Sequence, residues 1–268
     1  MKIKLFMLIA LTLFFTGCET KEESSNWCCE GSLDILNESM NMPRPVDSYD
    51  YPILPCMGVP NYSHVEEVKK ACVIPVETVG KMSTQAVIQA LWEYPFFEEL
   101  VSETGNRNLQ TDFESMFRDN NAYKELLRRT DVGKSLLRRY KLVDVTPTEY
   151  RYHPLALELL FSQPNILCQL SYKEKIELVS IIFEKERKRM ECNVVDPSKR
   201  KQRVTMMFMG RIMIVADYPP FVNTVNNNPS LKKFLDNRDA FLEQREDFLE
   251  FEKIITHNGS KFCHTVLQ

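Results

Sequence analysis

Glycine is scarce in this chain, 8 residues in 268, and histidine is scarcer still at four. Phosphate cradles built from backbone amides lean on glycine, because only a residue without a side chain lets the backbone approach the ligand closely. The shortage argues against a nucleotide site of that kind. Phosphate-loop, His-Glu-x-x-His and Cys-x-x-Cys patterns are all missing, so the strong signatures of nucleotide and zinc chemistry are absent. Charge of one sign is lacking too: 34 Lys and Arg against 37 Asp and Glu leave a net charge of -3. Nucleic-acid binders usually carry a clear basic excess, so no nucleic acid is expected as a partner. Strand signals are almost absent after residue 63.

The one greasy stretch at the N-terminus, Leu5 to Phe15, is shorter than the roughly 20 residues a membrane-crossing helix needs. Lys2 and Lys4 precede it, as in the charged start and apolar centre of a secretory signal. It ends in Phe15-Thr16-Gly17-Cys18 and turns abruptly charged at Glu19. This resembles the lipobox of bacterial lipoproteins, although leucine more often stands where Phe15 does. The resemblance implies removal of residues 1–17 and attachment of lipid, palmitate included, to Cys18. Cysteine suits that chemistry because its thiolate is a strong nucleophile near neutral pH. Two or three acyl chains hold a protein stably at a bilayer, whereas one holds only marginally. An ordinary secretory signal with a coincidental cysteine is the alternative. Lys21-Glu22-Glu23 resembles the surface-export signal of lipoproteins in certain Gram-negative anaerobes. That implies an outer-membrane protein facing outward; a charged spacer on a periplasm-facing protein is the other reading.

Eight cysteines are many for a reducing compartment. Without Cys18, seven remain, so at least one is free or pairs with another molecule. Cys28, Cys29, Cys56 and Cys72 crowd a turn-rich stretch, where one or two bridges and buried free thiols are both open readings.

Pro43, Pro45, Pro52, Pro55 and Pro60 make residues 18–62 an extended or turn-rich tether that could dock through Tyr49, Tyr51 and Ile53. Residues 63–268 read as an all-α domain. Ser171 and Glu174 fit a capping box. Asp196-Pro197 offers a cap and a first-turn proline, and Asn258-Gly259 offers a stop. The run 204–216 is apolar nearly all round and should be a central buried helix. Tyr94-Pro95, Gln163-Pro164 and Tyr218-Pro219 each put a proline corner between apolar helices. Such units could form an irregular bundle or an irregular α-solenoid-like array.

The segment "CVIPVETVGKMSTQAVIQALWEYPFFEEL", with Ile74-Pro75, Met82-Ser83-Thr84 and Tyr94-Pro95, and "RRTDVGKSLLRRYKLV" after it, resembles a group of uncharacterised all-helical lipoproteins of gut-type Gram-negative bacteria. It covers residues 72–142 and implies an all-α fold and a lipid anchor. No catalytic residue, cofactor or ligand comes with it.

Lys185, Arg187, Lys188, Arg189, Lys199, Arg200, Lys201 and Arg203 could gather at a helical-hairpin tip and meet phosphorylated headgroups or an acidic partner. The interleaved Glu184, Glu186, Glu191 and Asp196 favour a merely solvated tip. His257, Cys263 and His264 lie close in sequence but in a stretch expected to fray, so no metal site is assigned. Cys168 and Cys192 have no flanking Gly or His of the kind usual beside a nucleophile, whose base only the fold could supply. Arg211, alone in the apolar run, should find an acidic partner or reach solvent. The expected function is binding of a protein, a glycan or an envelope component. A purely structural envelope protein and a hydrolase with an unrecognised site are the alternatives.

Overall fold

The computed structural model describes residues 32–51, 69–97, 100, 109–147, 152–192, 200–236 and 245–267, and among these there is no strand. The all-α expectation holds. In chain order the helices are α1 (Ser32–Ser39), α2 (Val76–Val79), α3 (Thr84–Trp92), α4 (Leu109–Phe117), α5 (Asn121–Arg128), α6 (Val132–Leu142), α7 (His153–Phe161), α8 (Pro164–Leu167), α9 (Tyr172–Glu191), α10 (Arg200–Val215), α11 (Pro219–Asn226), α12 (Pro229–Asp236) and α13 (Arg245–Cys263), which runs on into a 3-10 turn at His264–Leu267.

Local chemistry explains most of these boundaries. Proline opens α8, α11 and α12, where its missing N–H costs nothing because the first amides of a helix have no partner within it. Ser83 and Asn120 cap α3 and α5 by accepting from the amides of Ala86 and Tyr123. The capping box at α9 is complete: Ser171 Oγ accepts from the Glu174 amide at 3.2 Å, and Glu174 Oε2 accepts from the Ser171 amide at 2.8 Å. Two helices stop on a left-handed residue. Asn41 (φ 52°) follows α1 and Asp217 (φ 50°) follows α10. The next amides, Met42 and Tyr218, reach back to the carbonyls of Asn37 and Met213, a stop that satisfies otherwise unpaired carbonyls.

The run read as a central helix is central. Val204 to Met213 of α10 are all buried, and α10 packs against α7, α8, α9, α11, α12 and α13. A helix surrounded in this way makes a centred bundle; in a stacked array each unit would meet mainly its sequence neighbours. The second layer forms around α3, whose Ala86 to Trp92 are all buried and which packs on α5, α6 and α7.

Asn258-Gly259, read as a stop, lies inside α13 instead. Asn258 Nδ2 donates to the Ile254 carbonyl at 2.8 Å within the helix. Gly259 is there for closeness: a Cβ would come within 2.8 Å of Met209 Sδ and 3.2 Å of Phe183 Cζ. The absent side chain lets α13 sit against α9 and α10, and the local stop signal loses to that packing. Asp196-Pro197, the expected start of α10, lies outside the described residues.

The N-terminal stretch also differs from an extended tether. Ser32–Ser39 is helical, since its prolines begin only at Pro43. The chain from α1 to Tyr51 is a strap across the body. Leu36, Met40, Met42 and Tyr51 are buried in the common core, each contributing roughly 1.5–3 kcal/mol if fully buried. Tyr51 Oη donates to the Ala90 carbonyl at 2.8 Å. Asp47 accepts from the amide and hydroxyl of Ser83, at 2.5 and 3.0 Å, and the amide bond holds its carboxyl below its ordinary pKa. Docking through Tyr49 and Tyr51, raised as a possibility by the sequence, is what the strap does. Ile53 lies outside the described residues.

Candidate functional site

The basic residues expected at a solvated tip divide in two. Lys185 is buried and Arg189 nearly so, because the face of α9 that carries them turns toward α6, α7 and α10. Both are corrections to the headgroup reading. Their focus is Glu158, whose side chain has no exposed surface. It accepts from Tyr140 Oη at 2.7 Å, Arg189 Nη2 at 2.8 Å and Thr205 Oγ1 at 2.6 Å. Arg189 also bonds Glu186 through Nη1, which lies 3.2 Å from Thr205 Oγ1. Lys185 Nζ donates to the Val143 carbonyl at 2.5 Å and sits 5.2 Å above the Tyr140 ring.

The electrostatics follow from burial and charge. Burial opposes the Arg189 charge, but Glu158 and Glu186 outweigh it and hold its pKa above the ordinary value. Lys185 has no direct carboxylate partner; burial, with Arg189 nearby, lowers its pKa to about 8. Glu186 is raised by burial, with Arg189 pulling the other way. Tyr140 is raised well above its usual value by burial and by Glu158. The cluster is closed and its carboxylate already holds three donors. It joins four helices, α6, α7, α9 and α10.

Of the other cations, Arg187 pairs with Glu191 at 2.5 Å and Lys188 with Glu184 at 3.0 Å, both one helical turn apart and exposed. Such pairs contribute little, and they spend the charge locally. Arg203 lies with its guanidinium carbon 5.4 Å from the Phe248 ring centroid. Lys199 lies outside the described residues, and Arg200 and Lys201 are placed only as the first residues of α10.

Arg211 is buried, and it takes neither route expected of it. Its Nε donates to the Leu235 carbonyl at 2.8 Å, and its Nη1 to Gln110 Oε1 at 2.9 Å and Ser162 Oγ at 3.2 Å. These are neutral oxygens. Burial lowers its pKa to about 10, while Asp236 and Glu114 act against that from a distance. Carbonyl and hydroxyl oxygens suffice because they satisfy the donors without burying a second charge.

A second buried carboxylate, Glu93, was missed by sequence reasoning. It accepts from Asn37 Nδ2 at 2.9 Å, Arg44 Nε at 3.0 Å and Gln89 Nε2 at 2.6 Å. Arg139 reaches the same cluster through Gln89 Oε1 and bonds the Pro43 carbonyl at 3.2 Å. A lone acid within an apolar stretch, "ALWEYPF" for Glu93 and "LALELLF" for Glu158, is the signal that could have found both.

His257 and His264 are exposed on the well-formed end of α13, not on a frayed tail. His264 Nδ1 lies 2.6 Å from the Ser260 carbonyl. Among the described residues no three His, Cys, Asp or Glu side chains gather as a metal set. Cys72, Cys168, Cys192 and Cys263 are free thiols; Cys18, Cys28, Cys29 and Cys56 lie outside the described residues. Burial pushes the Cys72 thiol up to about 11 and also raises Cys263, the wrong direction for a nucleophile. A shallow open depression between α11 and α13 is lined by Thr224, Lys253, Ile254, Thr256, His257 and Asn258. Both threonine hydroxyls there donate to carbonyls of their own helices. Among the described residues no helix is long and apolar enough to cross a membrane. No family model, curated protein or solved structure matches this chain.

Proposed function

We propose that this protein is a lipid-anchored component of a bacterial envelope, displayed on the outer membrane, whose helical body works by binding. The observation that carries the reading is the order of residues at the N-terminus. Lys2 and Lys4 come first, then the apolar run to Phe15, then Gly17-Cys18, then a charged stretch. That stretch lies outside the described residues. The resemblance of residues 72–142 to all-helical lipoproteins supports the same reading.

The body supports binding over catalysis. Its buried ionisable side chains Glu93, Glu158 and Arg211 are engaged by other groups of the protein and have little or no contact with solvent. A general acid or base must come within hydrogen-bond reach of its substrate. A rigid helical surface with its charges tied internally suits recognition of a protein, a glycan or a neighbouring envelope component.

Feeding cells radiolabelled palmitate tests the anchor. The wild-type chain should take up label and the Cys18→Ser variant should not; label in both, or in neither, removes the proposal. Protease shaving of intact cells should then digest the body, and a body left whole would place it on the periplasmic face.

A further inference from the structure

If residues 18–62 were free, the body could swing far from its anchor. Cys18 and residue 62 are 44 peptide steps apart in the sequence, which at about 3.4 Å per step allows roughly 150 Å whatever the conformation. The strap changes this. From Ser32 onward the chain belongs to the body, and 14 steps separate Cys18 from Ser32, a maximum of roughly 50 Å. That is close to the diameter of the body itself, about 45 Å for a compact chain of this size.

We propose that the docked strap is a leash-shortening device. It keeps the near end of the body within about one body diameter of the bilayer, so that a partner attached to or lying on the same membrane stays within its reach. The inference rests on the lipid-anchor reading given above.

Two observations show why the strap does not lift. Met40 and Met42 have no exposed surface. The polar contacts are also mutually dependent: Glu93, with a fully buried side chain, takes donors from Asn37 and Arg44 of the strap. Lifting the strap would leave that carboxylate with Gln89 and strip Arg139 of the Pro43 carbonyl. A buried charge with its donors removed is strongly disfavoured. Arg44 continues outward to Asp50 at 2.7 Å and to the Tyr49 carbonyl at 3.0 Å, so one side chain ties the middle and the later end of the strap to the body.

The test uses the chain from residue 19 onward, carrying an N-terminal hexahistidine tag bound to a nickel-chelating bilayer. Natural lipidation therefore plays no part in the outcome. Neutron reflectometry reads the height of the protein layer for the unaltered chain and for two variants with about thirty added Gly-Ser residues. One insertion lies between residues 31 and 32, upstream of the strap; the other lies between residues 60 and 61, downstream of it. The upstream insertion should raise the layer by roughly 10 Å or more, and the downstream insertion should leave it unchanged. Equal rises from both would show a loose strap, and no rise from either would show a body held down by something else; each overturns the proposal. Circular dichroism checks that both variants keep their helices. Should the downstream variant lose them, hydrogen exchange in the unaltered, bilayer-bound chain at the Asp144 amide, which donates to the Met40 carbonyl of the strap at 2.8 Å, decides: protection supports the leash, and open-chain exchange refutes it. A Cys18 that takes up no palmitate would refute the anchor without altering these heights.

Discussion

Glu158 lies within an apolar helix and Glu93 directly after one; each is a buried carboxylate holding three donors, yet they occupy different situations. Glu158 draws on three neighbouring helices, and its guanidinium partner Arg189 is nearly sealed, at 11% side-chain exposure. Glu93 draws on a strap about fifty residues earlier in the chain, and its partner Arg44 is 27% exposed and shared with Asp50. The first cluster locks the body together and the second locks something onto the body. The cost of breaking a buried ion pair depends on what the surviving partner can do. Arg189 has only Glu186 and Thr205 to turn to, while Arg44 can turn to water.

Substitution at the two carboxylates should separate them most sharply. Glu158→Ala should cost about 3–5 kcal/mol, seen as a large fall in the urea midpoint of the whole domain. Glu93→Ala should cost less, about 1–3 kcal/mol. Its mark should be local: hydrogen exchange would lose protection over residues 36–51 while α10 stays protected. Uniform loss in both variants would mean that strap and body are one cooperative unit.

Lys185, beside the first cluster, adds a pH test. Its folded pKa of about 8 lies below its unassociated value of 10.5. Between those values the unfolded chain binds a proton that the folded chain does not, so stability from this group rises with pH across the window. Below about pH 8 the full penalty of the buried charge is present. The rise should be of order 1–2 kcal/mol between pH 8 and 10. Lys185→Met should flatten it in a series of urea titrations. The strap cluster should add its own rise only at higher pH, because its cations are arginines and burial lowers Arg139 to about 10.

The smallest effect concerns the two left-handed stops. Asp217→Gly should stabilise by up to about 1 kcal/mol, since glycine adopts positive φ without strain. Asn41→Gly should do less, because asparagine already tolerates that conformation. Thermal melts of the two variants side by side would rank them, and a loss at Asp217 would point to a role for its carboxylate beyond the turn.

Much of the helical architecture was legible locally. The capping box at Ser171, the proline starts of α8 and α11 and the apolar run of α10 are decided within a few residues, where hydrogen-bond geometry and side-chain periodicity act. The failures share a cause. Gly259 reads as a stop until the closeness of Met209 and Phe183 is known. Lys185 and Arg189 read as surface charges until α7 brings Glu158 against them. Arg211 reads as needing an acid until carbonyl, amide and hydroxyl oxygens converge on it.

By itself, then, the sequence determined an all-helical chain, where many of its helices begin, and which run would be central, because backbone satisfaction and periodic burial are short-range matters. Only the tertiary structure decided which charges are spent inside and that the segment read as a tether able to dock is strapped down. Those outcomes depend on partners as far as 101 residues away in the chain. A buried charge is stable only where distant elements bring their donors and acceptors to it, and no local pattern records that meeting.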